Sequence, residues 1–204
     1  MAKRAKKLTY LYVDGSNLFK GITDLLAPGE YFLFSELIAQ MEKKFQIDKV
    51  YFYGTYFHTD STLTVTKQLE ARAQRRFFDE AKNIARVTFI KGYYSSSKKE
   101  KGIDVKMAVD IVKDGYEDCY NEAIVMTGDD DFIYVISTAK KLKRPIHMAT
   151  IGTRYGYGTA MNVHRKLILD YNKYFINNVQ PTIRKIPSGL DIIEISSEVQ
   201  IKKA

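Results

Sequence analysis

Leu8-Thr9-Tyr10-Leu11-Tyr12-Val13-Asp14-Gly15-Ser16-Asn17 is the stretch that decides the fold. Six strand-favouring residues, Leu8–Val13, run without interruption into an acid and a glycine. Similar runs recur at Lys49–Phe57, Arg86–Tyr94, Glu122–Thr127 and Pro145–Ile151. Helical patterns stand between them. Phe34–Phe45 carries Leu37, Ile38, Met41 and Phe45 on one side, and Leu63–Lys82 carries Val65, Leu69, Ala73, Phe77 and Ala81 spaced by four. Lys101–Tyr116 directs Ile103, Met107, Ala108, Ile111 and Val112 inward, Asp130–Leu142 follows, and a last helix falls within Thr159–Phe175. Strands alternating with helices specify an α/β fold with a mainly parallel sheet of about five strands, covered on both faces.

The chain has 204 residues, which suits one domain with a short appendage. The division expected is a basic tail over 1–7, a domain over 8–175 and an extension over 176–204 that forms an edge strand or a docked tail. Leu190–Ile195 is the apolar run for that role and a means of self-association. Cys119 is the single cysteine, which excludes an internal disulfide scaffold and fits a reducing compartment. No apolar run approaches the roughly 20 residues that cross a bilayer, and the basic start lacks a signal-peptide pattern, so a cytoplasmic protein is expected.

The net charge of +8 is unevenly spread. Lys3, Arg4, Lys6 and Lys7 crowd the N-terminus, while Lys91, Lys98, Lys99 and Lys101 stand against the single acid Glu100. A polyanion could be met there.

Ligands of an open parallel sheet bind outside the carboxyl ends of its strands. The first strand ends on Asp14, the fourth runs into Thr127-Gly128-Asp129-Asp130-Asp131, and the helix before the fourth opens with Gly102-Ile103-Asp104. Taken singly, each acid has an ordinary explanation as a turn residue or a helix cap. Together they place three or four carboxylates on one rim, where mutual repulsion calls for a cation. All-oxygen ligation suits Mg²⁺ or Mn²⁺, and the chemistry that follows is hydrolysis of a phosphodiester. Asp110 shares the helical phase of Ile103 and is expected to support the site rather than bind the ion. Other chemistries lack their motifs. There is no GxxxxGK[ST] loop, no G-x-S-x-G elbow and no second acid two residues after Asp14, and His58, His147 and His164 have no zinc spacing.

Three segments also carry a resemblance: Tyr12–Phe19 (YVDGSNLF), Lys101–Asp110 (KGIDVKMAVD) and Thr127–Phe132 (TGDDDF). In that order they resemble the signature of NYN domains, in particular the LabA-like branch, which is similar in fold to PIN-domain nucleases. The likeness covers roughly residues 8–175. It implies a PIN-like three-layer α/β/α sandwich and a Mg²⁺- or Mn²⁺-dependent ribonuclease. Carried over by motif, Asp14, Asp104, Asp129 and Asp131 form the catalytic metal site, and Ser16, Asn17 and Thr127 support it. Asp130 occupies the variable position between two motif acids and receives no metal role. Thr127 stands where the family usually has Ser, and both bring a hydroxyl. The family includes proteins described as regulators, so a silent RNA- or nucleotide-binding module and a DNA-directed nuclease are the alternatives.

A nucleic acid would find cations in two loops and on one helix. The Tyr93–Lys101 loop, with Lys98, Lys99 and Lys101, overhangs the acidic rim, and Arg72, Arg75 and Arg76 extend the track. Arg154 lies in the Gly-rich stretch Gly152–Gly158 after the fifth strand.

Overall fold

A computed structural model of the chain describes residues 7–26, 30–57, 63–95, 100–129, 131–142, 144–151, 175–179 and 183–185. The elements in chain order are β1 (Thr9–Asp14), α1 (Gly15–Leu25), β2 (Glu30–Phe32), α2 (Phe34–Met41), β3 (Lys49–Gly54), α3 (Val65–Lys82), β4 (Val87–Lys91) and β5 (Tyr93–Tyr94). They continue with β6 (Glu100–Lys101), α4 (Ile103–Tyr116), β7 (Glu122–Met126), α5 (Phe132–Lys140), β8 (Ile146–Ile151), β9 (Phe175–Val179) and β10 (Ile183–Lys185). The main sheet runs β4-β3-β1-β7-β8-β9, and every pairing in it is parallel.

Strand alternation explains the layers. On β1, Leu11 and Val13 face one side, where they join Leu18, Phe19 and Ile22 of α1, Phe34 and Leu37 of α2 and Phe78 of α3. Tyr12 faces the other side, with Tyr53 of β3, Ile103, Met107 and Ile111 of α4, and Phe132 and Ile136 of α5. Tyrosines dominate this second core, and each buried hydroxyl finds an acceptor. Tyr12 donates to Asp114 at 2.7 Å, Tyr53 to Asp110 at 2.9 Å and Tyr120 to the Ile111 carbonyl at 3.0 Å. The first two bonds fasten α4 to the sheet, and the third ties it to the connection before β7. Asp110→Ala strands the Tyr53 hydroxyl and is expected to cost about 1–3 kcal/mol, whereas Tyr53→Phe removes the donor and costs less. Thermal melting of the two variants, side by side, checks this order.

The mainly parallel α/β architecture is as expected, with a sixth strand. Phe175–Val179 pairs in parallel with β8 at the junction between the expected domain and extension. Ile183–Lys185 pairs antiparallel with β2 in a separate two-stranded sheet. The expected helix over Thr159–Phe175, apart from Phe175, and the Leu190–Ile195 run lie outside the described residues.

Four local readings change. α1 follows Asp14 directly, where the sequence reading has only a turn; the Asp-Gly-Ser-Asn chemistry is a helix N-cap, which differs from a turn only in what comes next. On α3 the buried residues are Ala71, Gln74, Phe78 and Ala81, while Val65 is exposed. A row spaced by four drifts about 40° per step, so the row from Val65 to Ala81 winds around the helix instead of marking one face. The Lys49–Phe57 run stops pairing at Gly54. The Arg86–Tyr94 run divides at Gly92, after which Tyr93–Tyr94 pairs back with Glu100–Lys101.

Candidate active site

From β1 the chain moves to β3 and β4 on one side, then returns to β7, β8 and β9 on the other. The order reverses between β1 and β7, and the crevice beyond their carboxyl ends is where open α/β sheets bind ligands. Asp14 is the last residue of β1 and the N-cap of α1, and it is 4% exposed. The Asn17 backbone N–H donates to Asp14 Oδ1 at 3.0 Å, and the Thr127 hydroxyl donates to Oδ2 at 2.9 Å. Thr127 Oγ1 also accepts from the Asp129 N–H at 3.1 Å. Asn17 Oδ1 accepts from the Gly128 N–H at 2.9 Å. Strand end, helix start and the loop after β7 are thus bound into one unit by Asp14, Asn17 and Thr127.

Burial raises the Asp14 carboxyl to about 6. The two donated bonds oppose that rise, and the negative charges of Asp104 and Asp129 add to it. Among the described residues no Lys or Arg pairs with Asp14. A buried carboxylate held in the field of two others suits a divalent cation. Among the described residues no three His, Cys, Asp or Glu side chains form a group ready to hold an ion, so the donors match the ion in chemistry without making a closed cage.

Of the remaining motif acids, Asp104 and Asp129 are the two whose charge acts on Asp14. Asp104 lies in the first turn of α4 and is exposed; Gly102, the N-cap, has φ +82°. Asp129 accepts from the Asp131 N–H at 3.0 Å, which closes the turn into α5. The exposed Asp131 is the N-cap position of α5 but makes no side-chain capping bond. Ser16 sits half-buried in the first turn of α1. Asp110 accepts the Tyr53 hydroxyl and pairs with Lys106 at 3.4 Å, an arrangement that secures α4. Asp130, Lys98, Lys99 and Arg154 lie outside the described residues. Arg72, Arg75, Arg76 and Lys101 are exposed.

Several rim residues escape a reading by motif. Thr55, just past β3, is 2% exposed, and its hydroxyl has no hydrogen-bond partner among the described residues. Gly92 permits close packing here, since a methyl group on it would collide with Thr55 Oγ1 and the Ile103 side chain. A glycine at the end of a strand was the one available signal.

A family model described as "NYN domain" matches residues 8–163. The chain belongs to the NYN domain family. NYN domains are PIN-like, and domains of that type are usually nucleases that use Mg²⁺ or Mn²⁺. Among solved structures, this NYN domain is similar to a Vibrio parahaemolyticus protein of unknown function, with a TM-score of 0.51 and 13% identity over 74% of this chain and 85% of that one. That likeness shows the fold. No curated protein matches the chain. Among the described residues, no helix is long and apolar enough to cross a membrane.

Proposed function

We propose that this NYN domain is a divalent-metal-dependent ribonuclease of the LabA-like branch, acting in the cytoplasm on single-stranded or flexible RNA. The observation that carries the reading is Asp14: a buried carboxylate, fixed by two donors at the switch point and facing the charge of two further acids. Asp14, Asp104, Asp129 and Asp131 hold Mg²⁺ or Mn²⁺. The ion, when bound, neutralises charge on the phosphodiester and acidifies water. Thr127 and Asn17 fix the carboxylate and the loop that carries Asp129, and Ser16 supports the first turn of α1. The exposed cations at Arg75 and Lys101, together with Lys98, Lys99 and Arg154, receive the phosphates on either side, and Arg72 and Arg76 add to the positive field from α3.

The test is cleavage of a labelled single-stranded RNA and the matched DNA with Mn²⁺, Mg²⁺ or EDTA. Metal-dependent RNA products that vanish with Asp14→Asn are expected. Equal cleavage by a highly purified Asp14→Asn, Asp129→Asn protein overturns the site assignment. Preferential DNA cleavage points to the DNA-directed alternative. A second reading, a silent RNA-binding module, draws on the lack of a preformed three-acid group among the described residues. RNA binding that is indifferent to EDTA, with no product under any ion, selects it.

A further inference from the structure

We propose that one RNA strand lies across the carboxyl ends of β1, β3 and β4, with the phosphate to be cleaved at Asp14 and a flanking phosphate held by Arg75 and Lys91; the proposal rests on the ribonuclease reading. The strand register lays out the path. Asp14 on β1 is level with Tyr53 on β3, and Gly54 is level with Lys91 on β4. Lys91 therefore stands about 10 Å from Asp14, two strand spacings along one edge. The rim changes sign over that distance: carboxylates line its β1–β7 end and cations its β4 end. A polyanion crossing it is held at one end, while at the other it needs a cation between itself and the acids.

The cationic end is organised around Tyr56, just past β3. The Arg75 guanidinium lies 5.4 Å from its ring centroid and the Lys91 ammonium 5.9 Å. The Tyr56 hydroxyl donates to Asp79 at 2.8 Å, which fixes the ring against α3. Asp79 takes the hydroxyl and forms an ion pair with neither cation. Among the described residues, Arg75 and Lys91 have no ion-pair partner at all. Both are exposed. Two unneutralised cations held near one ring are set for phosphate rather than for stabilising the fold. Arg72 and Arg76 differ: among the described residues neither stands over an aromatic ring, and Arg76 lies opposite the buried face of α3.

Tyr93 supplies a place for a base. It follows Lys91 by two residues, is 65% exposed and lies against Gly102, where a methyl group would come within 3.0 Å of the ring. Gly102 precedes Asp104 by two residues, so the exposed ring stands beside the start of α4, the element that carries Asp104. A base on Tyr93 and a phosphate at Arg75 and Lys91 fix the strand on one side of the cleaved bond.

The test measures binding of an unstructured fluorescent RNA to the full-length protein by anisotropy, in EDTA, across a series of salt concentrations. The doubly substituted Arg75→Gln, Lys91→Gln protein is expected to bind more weakly and to lower the slope of log K against log salt by about 1.4, as for two lost phosphate contacts on a single strand. The Arg72→Gln, Arg76→Gln protein is expected to lower it by clearly less. Tyr93→Ala is expected to weaken binding roughly 5- to 100-fold with the slope kept. Melting curves of the purified variants confirm that each is folded. Unchanged affinity and slope with Arg75→Gln, Lys91→Gln overturns the track, as does an equal loss from both pairs, which would mean diffuse attraction. Failure of the ribonuclease reading looks different: the slopes behave as stated, but no ion supports cleavage. Absence of any RNA binding by the wild-type protein overturns both.

Discussion

In EDTA at pH 7.5, Asp14→Asn is expected to melt about 4–8 °C above the wild-type protein, and with Mg²⁺ or Mn²⁺ supplied it is expected to lose RNA cleavage by roughly 10³-fold. The stability gain follows from the raised carboxyl. The folded protein holds the Asp14 proton up to about pH 6, whereas the unfolded chain releases it near 3.8. Between those values the native state binds more protons than the unfolded state, so stability falls as pH rises through the window. The full loss is on the order of 3 kcal/mol and is in force above pH 6. Asparagine removes the titration. It also gives up the bond that Thr127 donates, at about 1 kcal/mol, which leaves a net gain near 2 kcal/mol. At pH 4 the two proteins are expected to melt within a degree or two of each other. Mg²⁺ or Mn²⁺ is expected to raise the wild-type melting temperature and leave that of Asp14→Asn where it was. Identical melting of the two proteins in EDTA at both pH values would sink this account of the site.

Gly15→Ala is expected to destabilise by about 3 kcal/mol, the upper end of the range for overpacking, and to reduce cleavage with it. A methyl group on Gly15 would collide with the Phe52 ring and come within 2.7 Å of the Tyr53 carbonyl oxygen. The ring is fully buried between Phe34, Phe78 and Phe89, and the carbonyl belongs to a central strand, so neither can withdraw. The first turn of α1 must then lift off β3, carrying Asp14 away from Thr127. Adding Phe52→Leu relieves the ring contact alone and is expected to restore only part of the melting temperature. An alanine protein that melts with the wild type would show that α1 does not start against β3.

The mainly parallel sheet, covered on both faces, was legible in the sequence because its strand centres, such as Leu11–Val13 and Ala123–Met126, are apolar without alternation, as strands buried on both faces must be. Asp14, Thr127 and Asp129 were legible as strand-end residues for the same reason. α1 was missed, although Leu18, Phe19 and Ile22 have helical spacing, because Asp-Gly-Ser-Asn is equally good turn chemistry. The buried face of α3 was misjudged because its true row includes Gln74, a polar residue at 1% exposure whose carbonyl oxygen accepts the Phe57 N–H at 2.6 Å. No apolar pattern reports such a position. Tyr56 and Lys91 meet Arg75 only because β3 and β4 are neighbours, and nothing local in the sequence encodes that pairing.

Asp14 and Thr127, whose hydrogen bond closes the site, are 113 residues apart in the chain. A ribosome synthesising this protein releases β1, α1, β3 and α3 well before β7. Until β7 arrives, Asp14 lacks the hydroxyl that orients it, and Asp129 has yet to leave the exit tunnel. The nascent chain is thus unarmed for most of its synthesis, and the acidic centre forms only after the second half of the sheet has docked on the first. For the ribonuclease proposed above, made on a messenger threaded through a ribosome, this order of synthesis leaves the cutting centre incomplete until β7 slots in beside β1.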